Sequence, residues 1–315
     1  MNEKNFVKWY ELQGYNVIKS NSSYWIELGF MFYQSIPFNL IISPSNEELE
    51  HIISETAAVG LRFSSPVDSS EGYISYHVLY EGNKYELNSL SKKARYDVKK
   101  ALKVCKIEPI NFDNLLYEGW RLRKQTLIRQ NRRLSESYSK WKLMCLAAKV
   151  LDGFEAWGAK IGDELVASLL SFKLYDTCLI LYQQSSTRHL HIGVNNALTF
   201  VFTHEILSRG NINKVFYGLH SLDAADSVDR FKIRMNYYPK IIKQRIYVNK
   251  RYSFLFKEKN LKIVSLINKL ILKNTNLKKL QGLIYFYLEG KKPIDHQSWP
   301  SLLLDYYIKK KKEEA

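Results

Sequence analysis

The sequence predicts an α+β fold, because strand patterns follow one another and then give way to a helix and a further strand. Three strand patterns occur in a row, at 154–161, 164–175 and 177–186. The pairs Gly162-Asp163 and Asp176-Thr177 between them are typical turn residues. A largely apolar helix over 194–208 then precedes the strand KVFYGL at 214–219, which we expect to lie parallel to the strand before the helix.

The composition supports this fold with a sizeable core. The chain has 315 residues, of which 46% are hydrophobic and 14% aromatic, as in globular and not in disordered proteins. This length is enough for two ordinary domains. We therefore expect two αβ halves.

The first half begins with a helix near Asn5–Leu12. Strand patterns follow at 15–19, 24–28, 61–63 and 73–79. The uncharged run 28–46 is interrupted by polar residues and Pro37, so it predicts two short strands with a turn. Between the strands, Pro44-Ser45 opens a helix that reaches Ala57, with Glu48 placed for a capping box.

A basic amphipathic helix closes this half. In LSKKARYDVKKALKVC, Ala94, Val98 and Ala101 recur at helical spacing, and Ser91 is placed to cap the helix. Lysines and Arg95 occupy the remaining faces. Such a face is either simply solvated or binds the phosphate of a nucleotide-linked substrate or of transfer RNA.

The second half begins with helices at 113–130 and 137–150, before the strands described above. After the strand 214–219 come the loop HSLDAAD, a short helix at 227–235 and a long strand at 237–249. A second basic segment, which also contains a tryptophan, begins in the predicted helix 113–130 and continues beyond it. It consists of Trp120, Arg121, Arg123, Lys124, Arg129, Arg132 and Arg133.

The positive charge is uneven. The net charge is +16, and more than half of it lies in the C-terminal tail after residue 249. A polyanion is the expected partner of such a chain: nucleic acid, a phosphorylated cofactor or an anionic membrane. In the tail, LKIVSLINKLILKN places lysines 262, 269 and 273 beside an apolar face. This pattern suits a helix packed on the second half or one lying on an anionic membrane surface.

Cysteine usage and the N-terminus indicate the compartment. Cys105, Cys145 and Cys178 have neither metal-ligand nor CxxC spacing, which is typical of a reducing cytoplasm. The N-terminal residues contain no continuous apolar core of the kind a signal peptide needs, so we expect a mature N-terminus. His189-x-His191 has no third ligand in register, and we expect no metal.

Three segments, in order, resemble the GNAT-superfamily acyltransferases, most closely their FemABX-related branch. LSKKARYDVKKALK is similar to that family's basic helix, and FEAWGAKIGDELVASLLSF is similar to its strand–turn–strand. GVNNALTFVFTHEILSRG followed by SVDRFKIRMNYYP is similar to its central helix and terminal Phe-Lys motif. The resemblance covers roughly residues 90–240, with the N-terminal part alike only in style.

The resemblance implies a fold of two tandem GNAT-like halves. The implied division is an N-terminal GNAT-like domain at 1–110, a C-terminal acyltransferase domain at 111–249 and a basic helical tail at 250–315. It also implies an acyl-CoA co-substrate, with a phosphate loop at RHLHIGVNNA. The candidate cofactor-binding residues are Arg188, Gly193, Asn195 and Asn196. Asn195 stands where the family has a second small residue, so aminoacyl-tRNA stays open as the alternative donor.

Acyl transfer requires a polarised carbonyl and a donor for the oxyanion. By resemblance, the carbonyl lies between the parallel strands 177–186 and 214–219, so their end residues are expected to face it. These residues are Tyr182, Gln184, Tyr217 and His220. Phe231-Lys232 is the family's Phe-Lys pair, and Lys232 is the expected catalytic cation. On helical spacing alone, Phe231 would be buried and Lys232 solvated.

His220 and Asp223 are candidates to deprotonate an amine, since histidine titrates near neutrality and both follow a strand end. A loop histidine with a capping acid is the alternative. The resemblance therefore implies a cytoplasmic N-acyltransferase that modifies an amine of a cell-envelope or nucleotide-sugar precursor, and the basic tail adds the expectation of peripheral contact with the inner membrane face. The alternatives are an aminoacyl-tRNA-dependent enzyme and a non-catalytic nucleic-acid- or membrane-binding protein.

Overall fold

The computed structural model describes residues 3–130, 132, 136–223, 226–270 and 275–314. Arg133 and Lys273, which the sequence places in basic segments, lie outside these residues. The helices are α1 (Glu3–Leu12), α2 (Asn46–Thr56), α3 (Lys92–Leu102), α4 (Phe112–Arg129), α5 (Tyr138–Lys149), α6 (Val194–Ser208), α7 (Asp226–Arg234), α8 (Glu258–Leu270), α9 (Thr275–Gly290) and α10 (Ser301–Glu314).

The strands alternate with these helices along the chain. They are β1 (Val17–Lys19), β2 (Tyr24–Glu27), β3 (Phe32–Ile36), β4 (Gly60–Ser65), β5 (Tyr73–Glu81), β6 (Lys106–Ile110), β7 (Phe154–Ile161), β8 (Glu164–Leu174), β9 (Thr177–Ser185), β10 (Lys214–Leu219) and β11 (Tyr238–Val248). The α+β prediction is confirmed.

The chain forms two compact units, and each is built from three stretches. The first unit consists of Met1–Gln13, Val78–Gly218 and Arg230–Tyr238. The second consists of Gly14–His77, Leu219–Asp229 and Pro239–Ala315. Neither unit is continuous in sequence, and the tail from residue 250 belongs to the second unit. The continuous division at residues 110 and 249 stays a prediction.

In the first unit, the strands lie in the order β10-β9-β8-β7-β6. β7, β8 and β9 are antiparallel neighbours, and β10 runs parallel to β9 as expected. The helix α6 packs against β7, β8 and β9, and α3 packs against α6. Aromatic side chains of α1 join this core, with the rings of Phe6 and Phe172 centred 5.1 Å apart.

The strand β6 is missing from the sequence-based prediction. It pairs antiparallel with β7 and contains Pro109. Proline cannot donate to a strand ladder, which weakens the strand pattern in the sequence, but an edge strand tolerates it. In the strand order of the first unit, β6 is at the edge.

In the second unit, the strands lie in the order β1-β2-β3-β4-β11-β5, with β5 entering through Tyr73–His77. β3 and β4 are parallel neighbours joined through α2. Leu49 and Ile52 of α2 are buried with Trp25, Leu61 and Phe63 in one apolar cluster.

Both units therefore contain a strand–helix–parallel strand connection, β9-α6-β10 in one and β3-α2-β4 in the other. This repeated connection agrees with the prediction of two GNAT-like halves. The run 28–46 forms a single strand, β3, instead of two, and Ile41 contributes an isolated bridge to Ser64.

Two predicted helix starts are confirmed by their caps. Ser91 Oγ accepts a hydrogen bond from Ala94 N, and Ser45 Oγ accepts one from Glu48 N at 3.2 Å. The Glu48 carboxylate also accepts hydrogen bonds from the amide and hydroxyl of Ser22, each at 2.8 Å, so a tertiary contact adds to the local cap.

The C-terminal helices are part of the second unit. In α9, Leu283, Ile284 and Phe286 are buried, and the ring of Phe286 lies 4.7 Å from that of Tyr73. The amide oxygen of Gln297 accepts a hydrogen bond from Ile74 N at 2.7 Å. Of the described helices, none has the length and apolar character needed to cross a bilayer.

Candidate functional site

The strands β9 and β10 of the first unit pair with each other over three residues. The register joins Thr177–Leu179 to Lys214–Phe216, and β9 then continues to Ser185 while β10 continues to Leu219. We call the space between 180–185 and 217–218 the strand gap. Side chains at the strand gap are held by regular strands, which fixes their positions.

Lys232 lies against the strand gap as a buried cation. Its residue is 8% exposed, and Nζ lies 5.1 Å from the centroid of the Tyr217 ring. Nζ is also 3.6 Å from the position that a Cβ on Gly218 would take, an ordinary contact distance, so the ammonium lies directly beside β10. An ammonium over an aromatic face is stabilised electrostatically, and more strongly where water is excluded.

The helical-spacing alternative for α7, with Phe231 buried and Lys232 solvated, is wrong. Phe231 is half-buried, with its ring perpendicular to that of Tyr217 and 6.5 Å away, whereas Lys232 and Met235 are buried. The buried face of this helix is therefore centred one position farther along than apolar spacing predicts. Hydrophobic spacing assumes that a lysine faces water, and here the ring of Tyr217 provides a site for the cation.

Tyr217 connects the strand gap to α6. Its hydroxyl donates to Gln183 Oε1, and Gln183 Nε2 donates to Thr199 Oγ1 at 3.1 Å and to the carbonyl of Asn195 at 3.3 Å. Burial raises the pKa of Tyr217 well above its ordinary value, so its hydroxyl is a neutral donor at physiological pH. Lys232, Tyr217 and Gln183 form what we call the strand-gap cluster.

Gln183 was not identified from the sequence, whereas its neighbours Tyr182 and Gln184 were. Tyr182 contacts Trp141 and the Arg123 guanidinium, which is 4.9 Å from its ring centroid. Gln184 Nε2 donates to Ser168 Oγ at 2.7 Å. Both therefore face away from Tyr217, because successive residues of a strand point to opposite faces. The expected grouping of Tyr182 and Gln184 with Tyr217 is corrected, and the period of two could have identified Gln183.

The loop before α6 holds the four candidate cofactor-binding residues. Gly193 has φ +91°, and a Cβ on it would lie 2.7 Å from the carbonyl oxygen of Asp97 in α3. Asn195 Nδ2 donates to Ser185 Oγ at 2.9 Å, and Asn196 Nδ2 lies 3.4 Å from Met235 Sδ. Arg188 is exposed. The backbone of α3 at Asp97 thus packs closely against Gly193, which leaves no space for a side chain at this position of the loop.

Arg95 is engaged by its own chain. Its Nη2 donates to the carbonyls of Asn88 at 3.1 Å and Leu90 at 3.2 Å, which ties down the loop ahead of α3. The lysines of α3 are exposed, namely Lys92, Lys93, Lys99 and Lys100. The basic face of α3 is therefore formed by lysines, while Arg95 holds local structure.

A cavity of about 510 Å³ lies within the second unit. We call it the aromatic cavity, since Tyr73, Tyr76, Tyr285, Phe286 and Trp299 line it. Its polar lining residues are His220, Ser221, Asp223, Asn268, Lys278, Gln281 and Ser301. A concave site with aromatic walls and a few polar groups is the usual form of a small-molecule site.

The two predicted base candidates, His220 and Asp223, both line the aromatic cavity. The His220 ring stacks on Tyr76 at 4.5 Å, and its Nδ1 is 3.1 Å from Ser75 Oγ. Asp223 Oδ1 accepts a hydrogen bond from Ser221 Oγ at 2.9 Å. These two residues thus lie together in the second unit, whereas Lys232, Phe231 and Tyr217 belong to the first.

A half-buried arginine supports the loop that carries His220. Arg62 Nη2 donates to the His220 carbonyl at 3.0 Å, and Arg62 Nε donates to Gln244 Oε1 at 2.8 Å. Burial lowers the pKa of Arg62 to about 10, while the charge of Asp223 opposes this shift. Arg62 therefore remains cationic at neutral pH and holds both the loop backbone and Gln244. Sequence reasoning missed it, since an arginine within a strand pattern gives no local signal of burial.

Among the described residues, no group of three or more His, Cys, Asp and Glu is placed to hold a metal ion. His189 Nδ1 lies 3.0 Å from Ser186 Oγ, and His191 Nδ1 lies 3.0 Å from the Arg188 carbonyl. The three cysteines are free thiols and buried.

Comparison with known proteins gives matches to solved structures. No protein-family model and no curated protein matches the sequence. FemX matches with a TM-score of 0.54 and 13% identity, over 84% of this chain and 93% of that one. The C-terminal domain of a putative lysylphosphatidylglycerol synthetase from Agrobacterium fabrum matches with a TM-score of 0.53 and 10% identity, over 85% and 96%. L-PGS from Bacillus licheniformis matches with a TM-score of 0.52 and 11% identity, over 86% and 97%.

At 10–13% identity these likenesses concern the fold, and they extend over nearly the whole of each matched chain. The matched proteins fall in the FemABX-like group that the basic helix, the strand–turn–strand and the Phe-Lys motif suggest. The chain therefore has the α+β fold of FemX, as its FemABX-related resemblance predicts.

Proposed function

We propose that the protein is an acyltransferase whose strand-gap cluster stabilises the transferring acyl group. The observation that carries the proposal is the buried ammonium of Lys232 over the Tyr217 ring, beside strands that have ceased to pair. A fixed cation in a water-poor site stabilises the negative charge that develops on a carbonyl oxygen during acyl transfer.

In the proposed step, an acceptor amine attacks the acyl carbonyl and forms a tetrahedral intermediate with a negatively charged oxygen. Lys232 stabilises that oxygen. Collapse of the intermediate forms the amide bond and breaks the bond to the leaving group, which takes up a proton. The raised pKa of Tyr217 keeps its phenol protonated, and its hydrogen bond to Gln183 Oε1 holds the ring against the Lys232 ammonium. For His220 and Asp223, which line the aromatic cavity of the second unit, removal of an amine proton stays a prediction.

The donor we propose first, on the resemblance, is an acyl-CoA thioester. Aminoacyl-tRNA is the second candidate, and two observations favour it. Asp97 packs against Gly193 at the loop expected to bind the diphosphate, and the exposed lysines of α3 suit a nucleic-acid backbone. The name of one neighbour, a putative lysylphosphatidylglycerol synthetase, describes attachment of an amino acid to a lipid.

The proposed acceptor is an amine of a cell-envelope or nucleotide-sugar precursor, and the proposed setting is the cytoplasm, with contact at the inner membrane face. The exposed side of α8 supports that contact, because Ile263, Leu266 and Leu270 are 52%, 60% and 82% exposed next to Lys259 and Lys262. A non-catalytic binding protein on this fold is the remaining alternative, and the following experiment distinguishes it.

Donor identity is tested by thermal denaturation with an acyl-CoA panel and, separately, with charged and uncharged tRNA. Stabilisation by acyl-CoA supports the first donor. Binding of charged tRNA that weakens steeply with salt, together with loss of its aminoacyl group in the presence of amines, supports the second. If neither donor binds or is consumed, the acyltransferase proposal is wrong.

The role of Lys232 is tested with Lys232→Ala under the donor that is consumed. We expect turnover to fall by about 10²–10³-fold, the usual effect of removing one oxyanion donor, while the protein remains folded. Lys142→Ala, at an exposed position on α5, is the matched control and should retain full turnover. A Lys232→Ala protein with unchanged turnover excludes Lys232 from the mechanism.

A further inference from the structure

The aromatic cavity has an inner end and an open end of different chemistry. Tyr73, Tyr76 and Phe286 are buried and form inner walls, while Lys278 and Trp299 are exposed and belong to the open side. The inner walls are electron-rich ring systems, whereas a cation stands at the opening. A ligand that fits both ends has different groups at its two ends.

The inner part of the cavity has an unused hydrogen-bond acceptor. Asn268 donates through Nδ2 to Gln281 Oε1 at 2.8 Å, which orients its amide. Its Oδ1 is buried and accepts no hydrogen bond from the described residues. A buried acceptor left without a donor costs about 1–3 kcal/mol, so a ligand that brings an N–H or O–H group relieves this cost.

The charges around the cavity nearly cancel. Asp223 and Lys278 line it with opposite charges. Behind the lining, the half-buried Arg62 interacts electrostatically with Asp223, and the buried Asp229 accepts a hydrogen bond from Tyr76 at 2.8 Å. Two cations and two carboxylates leave no net attraction for a simple anion or a simple cation. They suit a ligand that is itself neutral overall.

We propose that the aromatic cavity binds a small primary-amine zwitterion. Its ammonium group lies at the inner end, where aromatic rings, the Asn268 carbonyl and the Asp223 carboxylate accept it. Its anionic group, a phosphate or a carboxylate, pairs with Lys278 at the opening. This binding is measurable without turnover, so its failure and the failure of the proposed acyl transfer are distinguishable.

The test is calorimetric titration of the full chain with glycerophosphoethanolamine and, in a second arm, with β-alanine, two neutral zwitterions that distinguish a phosphate-bearing from a carboxylate-bearing source. Ethanolamine, inorganic phosphate and glucose serve as comparison ligands. We expect one of the zwitterions to bind at least about tenfold more tightly than ethanolamine or phosphate alone, a difference of about 1.4 kcal/mol. Tighter binding of glucose, or no binding of either zwitterion, overturns the proposal.

Two variants locate the binding. Lys278→Ala removes an exposed side chain that the fold does not need, and it should weaken zwitterion binding while leaving ethanolamine binding unchanged. Asp223→Asn should weaken both. Lys257→Ala and Asp68→Asn, at exposed positions of the second unit, are the matched controls. Zwitterion binding that is unaltered in Lys278→Ala and in a folded Asp223→Asn protein places the ligand elsewhere and contradicts the inference.

Discussion

Each unit has a pair of parallel strands joined through one helix, but the side chains at the ends of the two pairs differ. β9 and β10 pair over three residues, as do β3 and β4, and each pair is joined through one helix. Beyond the paired residues of the first unit lies the strand-gap cluster, with Lys232 over a tyrosine ring. The last pair of the second unit joins Gln34 to Arg62, and Arg62 is fixed by hydrogen bonds to Gln244 and the His220 backbone.

The two cations differ in their partners. Arg62 is placed to hold structure, whereas Lys232 is placed for the catalytic role that we propose. The Arg62 guanidinium donates to a side chain and to a loop carbonyl, so its removal leaves buried acceptors without donors. The Lys232 ammonium lies over the face of the Tyr217 ring, beside the strand gap where we propose that a substrate oxygen binds. Buried charge by itself is therefore a poor guide to a catalytic role, and the partners of the charge are more informative.

Replacement of Arg62 should have the largest effect on stability. Arg62→Met leaves Gln244 Oε1 and the His220 carbonyl without their donor, and we expect the free energy of unfolding to fall by about 3–5 kcal/mol. Urea unfolding measures it, with Arg251→Met at an exposed position as the control. Lys232→Met keeps an apolar side chain of similar length over the Tyr217 ring and should lower the same quantity by less than Arg62→Met does. Equal losses in the two variants would remove the distinction between the cations.

A pH dependence specific to the second unit should follow from His77, which is buried and lies 2.8 Å from Ser64 Oγ. Burial, assisted by the charge of Lys240, lowers the pKa of His77 to about 3. Between this value and the ordinary pKa near 6.5, the unfolded chain holds a proton that the folded chain does not. Stability should thus fall as the pH is lowered from 6.5 toward 3, by about 2 kcal/mol at pH 5.

This dependence is measured by urea unfolding at pH 7 and pH 5. In His77→Gln, which cannot take up the proton, the loss between these pH values should be about 2 kcal/mol smaller than in the parent chain. His51→Gln, at an exposed position on α2, is the control and should retain the parental loss. An unchanged pH slope in His77→Gln would mean that His77 is protonated in the folded state.

The smallest effect on folding is expected at the exposed face of α8 in the second unit. A substitution there should change membrane contact and leave stability nearly unaltered. Leu266→Asp should leave the unfolding free energy within about 0.5 kcal/mol, as for most surface substitutions. The same variant should reduce flotation with vesicles that contain phosphatidylglycerol, because it removes apolar area and adds a negative charge. Glu258→Asp on the same helix is the control. Equal flotation of the parent and Leu266→Asp rules out this face as a membrane contact.

Local signals in the sequence were sufficient to predict most of the helices and strands. The caps of α2 and α3 depend on Ser45 and Ser91, each of which lies within one turn of its partner amide. The parallel placement of β10 follows from the strand–helix–strand connection. Such features are set by neighbouring residues, so pattern and turn chemistry predict them.

The sequence predicted the members of the candidate site less well, because they depend on contacts between residues far apart in the chain. The burial of Lys232 requires Tyr217 from another element, and the partial burial of Arg62 requires Gln244 from β11. Gln183 was within reach of the sequence, since the strand period assigns it to the face opposite Tyr182 and Gln184. The pairing of β6 was obscured by Pro109, whose missing N–H matters less at an edge.

The discontinuous make-up of the two units has a consequence for synthesis on the ribosome. The first unit cannot be completed before Arg230–Tyr238 has emerged, and the second requires strands and helices from Pro239 onward. Domains that are continuous in sequence can fold one after the other as the chain grows. Here α2 can cover one face of the N-terminal strands early, but the β4 edge that pairs with β11 must stay unpaired until β11 is translated. A nascent chain halted before residue 238 should therefore bind chaperones, and release of the last residues should let both units close.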